Sequence, residues 1–103
     1  MNIIYKQDML EKTITALINK LNNKYPQFLN DIYNHIEKCA SEGNTSISFI
    51  DQRTNQGYVI KFNNDITHLI ESNYYFDWQR LLIYTGFTIS CPDQTLTTIS
   101  WNN

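Results

Sequence analysis

GFTISCPDQTLTTISW, residues 86–101, is the stretch whose reading decides the fold. Phe87, Ile89 and Cys91 alternate with Thr88 and Ser90, and Thr97, Ile99 and Trp101 alternate with Thr98 and Ser100. A period of two puts one side of each strand on a core and the other toward water. Between the two runs, Pro92-Asp93-Gln94 carries turn chemistry, with Pro92 suited to the second turn position. The spacing therefore predicts a C-terminal β-hairpin, entered from a helix that Gly86 stops. The threonines on the outer positions favour strands for the same reason.

The period of two recurs upstream. Ile47 and Phe49 alternate with Ser46 and Ser48, and Tyr58, Ile60 and Phe62 alternate with Val59 and Lys61. This predicts a second hairpin, joined by a long polar loop over 51–57 whose tip is expected to move. Before it the period is 3.6. Leu10, Ile14, Leu17, Ile18 and Leu21 form one apolar stripe, which predicts a helix over 7–24, with Asp8 and Glu11 early and Lys20 and Lys24 late. Pro26 interrupts it and suits the first turn of a second helix over 26–41. Leu29, Ile32, Tyr33, Ile36 and Ala40 line that helix, Phe28 and Cys39 flank them, and Gly43 is the natural residue just past its end. Asn63-Asn64-Asp65 offers caps for a third helix over 65–85, built on Ile66, Leu69, Ile70, Leu81 and Leu82 and interrupted near Ser72-Asn73. The order α-α-β-β-α-β-β predicts a single α+β domain spanning 1–103. In it, a four-stranded antiparallel sheet carries helices on one face.

Composition narrows the function. The chain has 103 residues, enough for one modest core, and aromatics make up 14% of it. Charged residues are only 17%, and ten acids against eight bases leave a net charge of −2. Arg53 and Arg80 are isolated and the lysines are scattered, so no basic surface points to nucleic acid. No apolar run approaches the length of a membrane span, and no secretory leader is evident. The two cysteines, Cys39 and Cys91, lie far apart and read as reduced, buried thiols of a soluble cytoplasmic protein.

No reading of the chain as an enzyme or a metal protein gathers enough residues. His35 and Cys39 have the i, i+4 spacing of a ligand pair, but a structural metal wants four ligands and only His68 remains. Cys91 with His68 is a conceivable nucleophile and base, yet the alternation turns Cys91 toward the core, where a thiol is inert. Asp51, Asp65, Asp77 and Asp93 fall where capping and turn roles account for most of them. The three glycines are isolated, which excludes the common phosphate-binding loops. No cofactor or metal is expected.

The local anomaly is Tyr74-Tyr75-Phe76-Asp77-Trp78-Gln79-Arg80. Successive helix residues lie 100° apart, so four aromatics in five positions cannot share one buried face. Two placements are open. In one, Phe76 and Trp78 complete the core while the tyrosines snorkel. In the other, Tyr74, Tyr75, Trp78 and Arg80 form a protein contact, in keeping with the enrichment of Tyr, Trp and Arg at interface hot spots.

Leu82 through Ile89, a turn, and Thr97 through Trp101, with Ser41 through Gly43 ahead of Ser46-Ile47-Ser48-Phe49, resemble a pattern in small uncharacterised tailed-phage proteins. The likeness covers the last two thirds of the chain, and the stretch from Asn73 to Trp78 departs from it. It implies a viral accessory or virion-associated protein and transfers no functional residue. The expected function is therefore a non-enzymatic phage accessory protein that binds another protein in the host cytoplasm, such as a host or defence protein, and self-associates. The alternatives are a virion component and a small-ligand sponge or enzyme. The last of these would need a polar cavity near His68 or Arg80.

Overall fold

The computed structural model describes residues 3–62 and 66–102. These residues form three helices, α1 (Lys6–Lys24), α2 (Pro26–Ser41) and α3 (Ser72–Tyr84). They also form five strands, β1 (Ser46–Thr54), β2 (Gly57–Lys61), β3 (Thr67–Ile70), β4 (Thr88–Asp93) and β5 (Leu96–Ser100). All pairings are antiparallel, in the order β3-β2-β1-β5-β4. The α+β class and the helix order are as expected, but the sheet has five strands and not four.

The extra strand is β3. Ile66, Leu69 and Ile70 satisfy the helical spacing i, i+3, i+4, so the segment reads as the first turn of a helix. In the structure it is extended, with Ile70 opposite Tyr58 and His68 opposite Ile60. Its four residues are too few for the period of two to declare itself. The apparent interruption at Ser72-Asn73 is the start of α3, which runs from Ser72 and not from 65. The expected caps Asn63, Asn64 and Asp65 lie outside the described residues.

Alternation in β1 buries Ile47, Phe49 and Asp51 and exposes Ser46, Ser48 and Ile50. Ile60, Ile70, Thr97 and Ile99 continue the buried side across the sheet. The helices cover that side. α2 and α3 touch the strands, while α1 packs mainly on α3 and α2. Leu17 and Leu21 of α1, Phe28, Leu29, Ile32 and Ile36 of α2, and Trp78, Leu81 and Leu82 of α3 fill the space between.

Two junctions differ from expectation, and both matter for the site. The β1–β2 connection is tight, because Thr54 pairs with Gly57, so 51–54 is strand and not loop. The Thr54 hydroxyl accepts the Gln56 N–H (3.2 Å) and donates to the Gly57 carbonyl (3.1 Å), which closes the turn. The β4–β5 turn is Gln94-Thr95. Pro92 lies within β4, beside an irregularity between Ser90 and Asp93. β4 is an edge strand, where a residue without an N–H breaks no ladder.

The helix ends behave as read. At Gly43 and Gly86 the chain closes α2 and α3 with paired reverse bonds: Asn44 N–H to Cys39 O and Gly43 N–H to Ala40 O, then Phe87 N–H to Leu82 O and Gly86 N–H to Ile83 O. This is the Schellman arrangement, and it sends the chain straight into the following strand.

Candidate functional site

With α3 starting at Ser72, its helical wheel sorts the aromatic segment. Tyr75, Trp78, Leu81 and Leu82 turn inward. Trp78 is fully buried, with Phe28 at 5.1 Å, Tyr75 at 5.6 Å and Phe49 at 5.9 Å between ring centroids. Tyr75 is buried and stacks flat on Tyr58, at 3.8 Å and 8°. Tyr74 is half-buried against Tyr25, edge-to-face at 5.2 Å, with Lys20 and Lys24 each 5.4 Å from its ring. The Tyr25 hydroxyl also accepts the Glu71 N–H at 3.2 Å, which ties the Pro26 break to the start of α3.

The four residues expected at a contact are therefore divided. Tyr75 and Trp78 belong to the core, and Tyr74 is occupied within the chain. Arg80 remains on the surface, paired with Asp77 at 2.7 Å. The opposite assignment of Phe76 to the core is also reversed, since its ring is 54% exposed. The outward face of α3 carries Phe76, Arg80, Ile83 and Tyr84, at i, i+4, i+7 and i+8. Ile83 is 53% exposed. These four side chains fall within a wedge of about 100°. Sequence reasoning missed Phe76, Ile83 and Tyr84 because Ile66, Leu69 and Ile70, which belong to β3 and its approach, were counted in the helix's apolar face. A wheel begun at Ser72 separates the two faces.

Asp77 and Asp51 are not the caps or turn residues expected. Asp77 sits inside α3, between Lys20 of α1 (2.5 Å) and Arg80. Burial pushes its carboxyl up, but the hydrogen bonds and charges of Lys20 and Arg80 outweigh that and hold it below the usual carboxylate range. Asp51 lies inside the sheet, 6% exposed. Its Oδ2 accepts the Tyr75 hydroxyl and the Thr97 hydroxyl (2.8 Å), and Gln79 Nε2 donates to the Tyr75 oxygen at 3.1 Å. Burial raises the Asp51 carboxyl, and the bonds from Tyr75 and Thr97 offset only part of the rise. Burial and the Asp51 carboxylate also push the Tyr75 phenol upward. Asp93 does have a turn role, since its Oδ1 accepts the Thr95 N–H at 2.7 Å. Asp65 lies outside the described residues.

The two buried carboxylates predict opposite pH dependences. A raised folded-state pKa contributes stability at low pH that is lost as pH rises through it, and a lowered one contributes stability that is lost on acidification. Urea midpoints from about pH 3 to about pH 7 should thus fall for the wild type relative to Asp51→Asn, and rise relative to Asp77→Asn. Parallel curves for all three proteins would contradict these environments.

Neither cysteine is buried as expected. Cys39 is half-buried and Cys91 is exposed, and both are free. Cys91 lies on the same side of the sheet as Asp51 and Thr97, but β4 is an edge strand and leaves it open to solvent. Its sulfur lies 3.7 Å from the Thr97 hydroxyl. His68 pairs with Asp31 at 2.8 Å and packs on Phe28, apart from Cys91. His35 instead faces Phe62. Among the described residues, no group of three or more His, Cys, Asp or Glu could hold a metal ion. A cavity of about 240 Å³ does adjoin the Asp31–His68 pair, lined by Asp31, Asn34, His35, Lys38, Phe62 and Ile66. A smaller cleft of about 150 Å³ lies at the end of the sheet, where Asp51, Tyr58, Cys91 and Asp93 are among its walls. No helix of the described residues is long and apolar enough to cross a membrane.

The fold and these surfaces define a protein with an open sheet covered on one side by helices, whose third helix carries an aromatic outer face. No protein-family model, curated protein or solved structure matches the chain.

Proposed function

We propose that the chain is a non-enzymatic protein-binding module whose contact surface is the outer face of α3. The observation that carries this reading is the exposure of Phe76 and Ile83 one above the other on a helix whose opposite side is fixed in the core. Each would lose exposed apolar area on docking, at about 25 cal/mol per Å². Arg80 and Tyr84 frame them with the residue types that dominate hot spots. Anchors at i, i+4, i+7 and i+8 are the pattern of a helix laid into a partner's apolar groove. Because Trp78 and Leu82 hold the helix from behind, its conformation is set before binding and little ordering cost remains.

On the C-terminal resemblance, the partner is a host or defence protein met by a phage product. Finding the chain in purified particles would favour a virion component instead. The binding test is Phe76→Ala combined with Ile83→Ala. Both side chains are half exposed, and Phe76 meets Tyr58 and Tyr75 edge-on, so the double variant should lose about 1–2 kcal/mol and still fold. Affinity for the protein that co-purifies with the wild-type chain should fall at least about tenfold. Unchanged affinity would refute the assignment of this face.

A further inference from the structure

We propose that β3 is a docking edge for a second copy of this chain, pairing antiparallel with the same strand of that copy across a two-fold axis at His68. β3 and β4 are the two edges of the sheet. An edge strand leaves the backbone N–H and C=O of every second residue without a neighbour. Two hydrogen bonds fix which residues these are on β3. Phe62 N–H donates to the Ile66 carbonyl at 3.2 Å, so the hydrogen-bonded pairs of this ladder are Phe62–Ile66, Ile60–His68 and Tyr58–Ile70. The backbone groups of Thr67 and Leu69 therefore point away from β2. Glu71, the next residue in that alternation, does donate outward, to the Tyr25 hydroxyl at 3.2 Å. Thr67 and Leu69 are both exposed, and their outward groups have no partner among the described residues. The opposite edge is guarded, since β4 carries Pro92 and an irregularity between Ser90 and Asp93. β3 has no proline, bulge or lysine.

The geometry of the edge favours β3 itself as the occupant. The Tyr25 hydroxyl closes the edge beyond Ile70, so a long extended peptide is blocked from running along it. A short strand fits, and β3 is four residues long, with α3 beginning soon after it. In the register that sets His68 opposite itself, Thr67 of each copy faces Leu69 of the other. Each of those two pairs exchanges two hydrogen bonds, so every outward group of both strands is used. Charge does not oppose the pairing. Thr67 and Leu69 are uncharged, and His68 turns inward to Asp31 of its own α2. Leu69, 45% exposed on the uncovered face of the sheet, gains a neighbouring strand. Two five-stranded sheets then join into one of ten. The contact is narrower than a standard interface of about 800 Å² per partner, so a dissociation constant on the order of 100 μM is expected. The pairing uses backbone groups that the α3 contact does not, and it can fail without it.

The test follows the full chain by sedimentation and by amide hydrogen exchange between about 20 μM and about 2 mM, on either side of the expected constant. The mass should rise toward that of a dimer, and exchange at the amides of Thr67 and Leu69 should slow at least about fivefold over the series. Leu69→Pro removes an outward N–H and no bond to β2, so the variant should fold and stay monomeric at the highest concentration. Leu69→Ala keeps the N–H and should still associate, within about threefold of the wild type. Phe76→Ala with Ile83→Ala should associate as the wild type does, which separates this edge from the α3 contact. A wild type that stays monomeric throughout, or one that associates with no slowing at Thr67 and Leu69, would overturn the proposal whether or not the proline variant folds. So would a folded Leu69→Pro that dimerises as the wild type does.

Discussion

Trp78→Ala is expected to lose about 3–5 kcal/mol of unfolding free energy. That is a large share of the roughly 5–15 kcal/mol available to a domain of this size. The indole is fully buried where α2, α3 and the sheet meet: Phe28 of α2, Phe49 of β1 and its own helix neighbour Tyr75 surround it. Removing it deletes the largest buried side chain and leaves a void that the sheet and α2, held by other contacts, cannot close fully. Trp78→Phe should lose far less. The indole N–H has no acceptor among the described residues, so replacing it with an aromatic that lacks the donor removes an unmet group along with some volume. Urea unfolding checks both variants. A Trp78→Ala protein of nearly native stability would place this side chain at a surface, as the sequence alone allowed.

Gly57→Ala is the second large effect, expected at about 2–4 kcal/mol. Two independent costs meet at this buried glycine. Its φ of +141° is a conformation that L side chains rarely adopt, which costs on the order of 1–3 kcal/mol. A Cβ built there would also collide with the Ile70 carbonyl oxygen and crowd Glu71 Cα, both of them backbone. To relieve the clash β3 must move off β2, which breaks the pairing of Tyr58 with Ile70. Hydrogen exchange at the amides of β2 and β3 should therefore accelerate more than elsewhere. Gly43→Ala is the control. Its φ is also positive, at +91°, but a Cβ meets nothing within 4 Å, so only about 1 kcal/mol should be lost. Equal losses at the two glycines would mean that β2 and the β3–α3 junction do not approach as described.

Much of the architecture was legible from local pattern. The stripes of α1 and α2, the alternation around Phe49, Ile60 and Ile99, and the glycine stops at 43 and 86 each follow from short-range physics. What was not legible depended on distance along the chain. β3 is held by pairing with β2, and Ile66, Leu69 and Ile70 alone fit a helix as well as a strand. Taking Ile66, Leu69 and Ile70 into the helix misdirected its apolar face, so Trp78 stood in the core in one placement and at a contact in the other, and Phe76 stood as a core candidate. Asp51 was misread for a related reason. It continues the inward register of Ile47 and Phe49, but an aspartate beside Gln52 and Arg53 reads as a turn, and only Tyr75 and Thr97, brought from α3 and β5, explain its burial. Cys91 keeps the side of the sheet that its alternation indicates, near Thr97, but it is exposed because β4 is an edge strand, and strand order is not written in the local pattern.

The central claim is that α3 has two faces with two tasks, a core face at Trp78 and a contact face at Phe76 and Ile83. The most direct measurement places a photo-crosslinking side chain at position 76 or 83, and in parallel at Glu37, an exposed position on α2, in cells that produce the chain. The account predicts a discrete protein adduct from positions 76 and 83 and none from 37. Adducts of equal yield from all three positions, or none from 76 and 83 in a correctly folded chain, would contradict it.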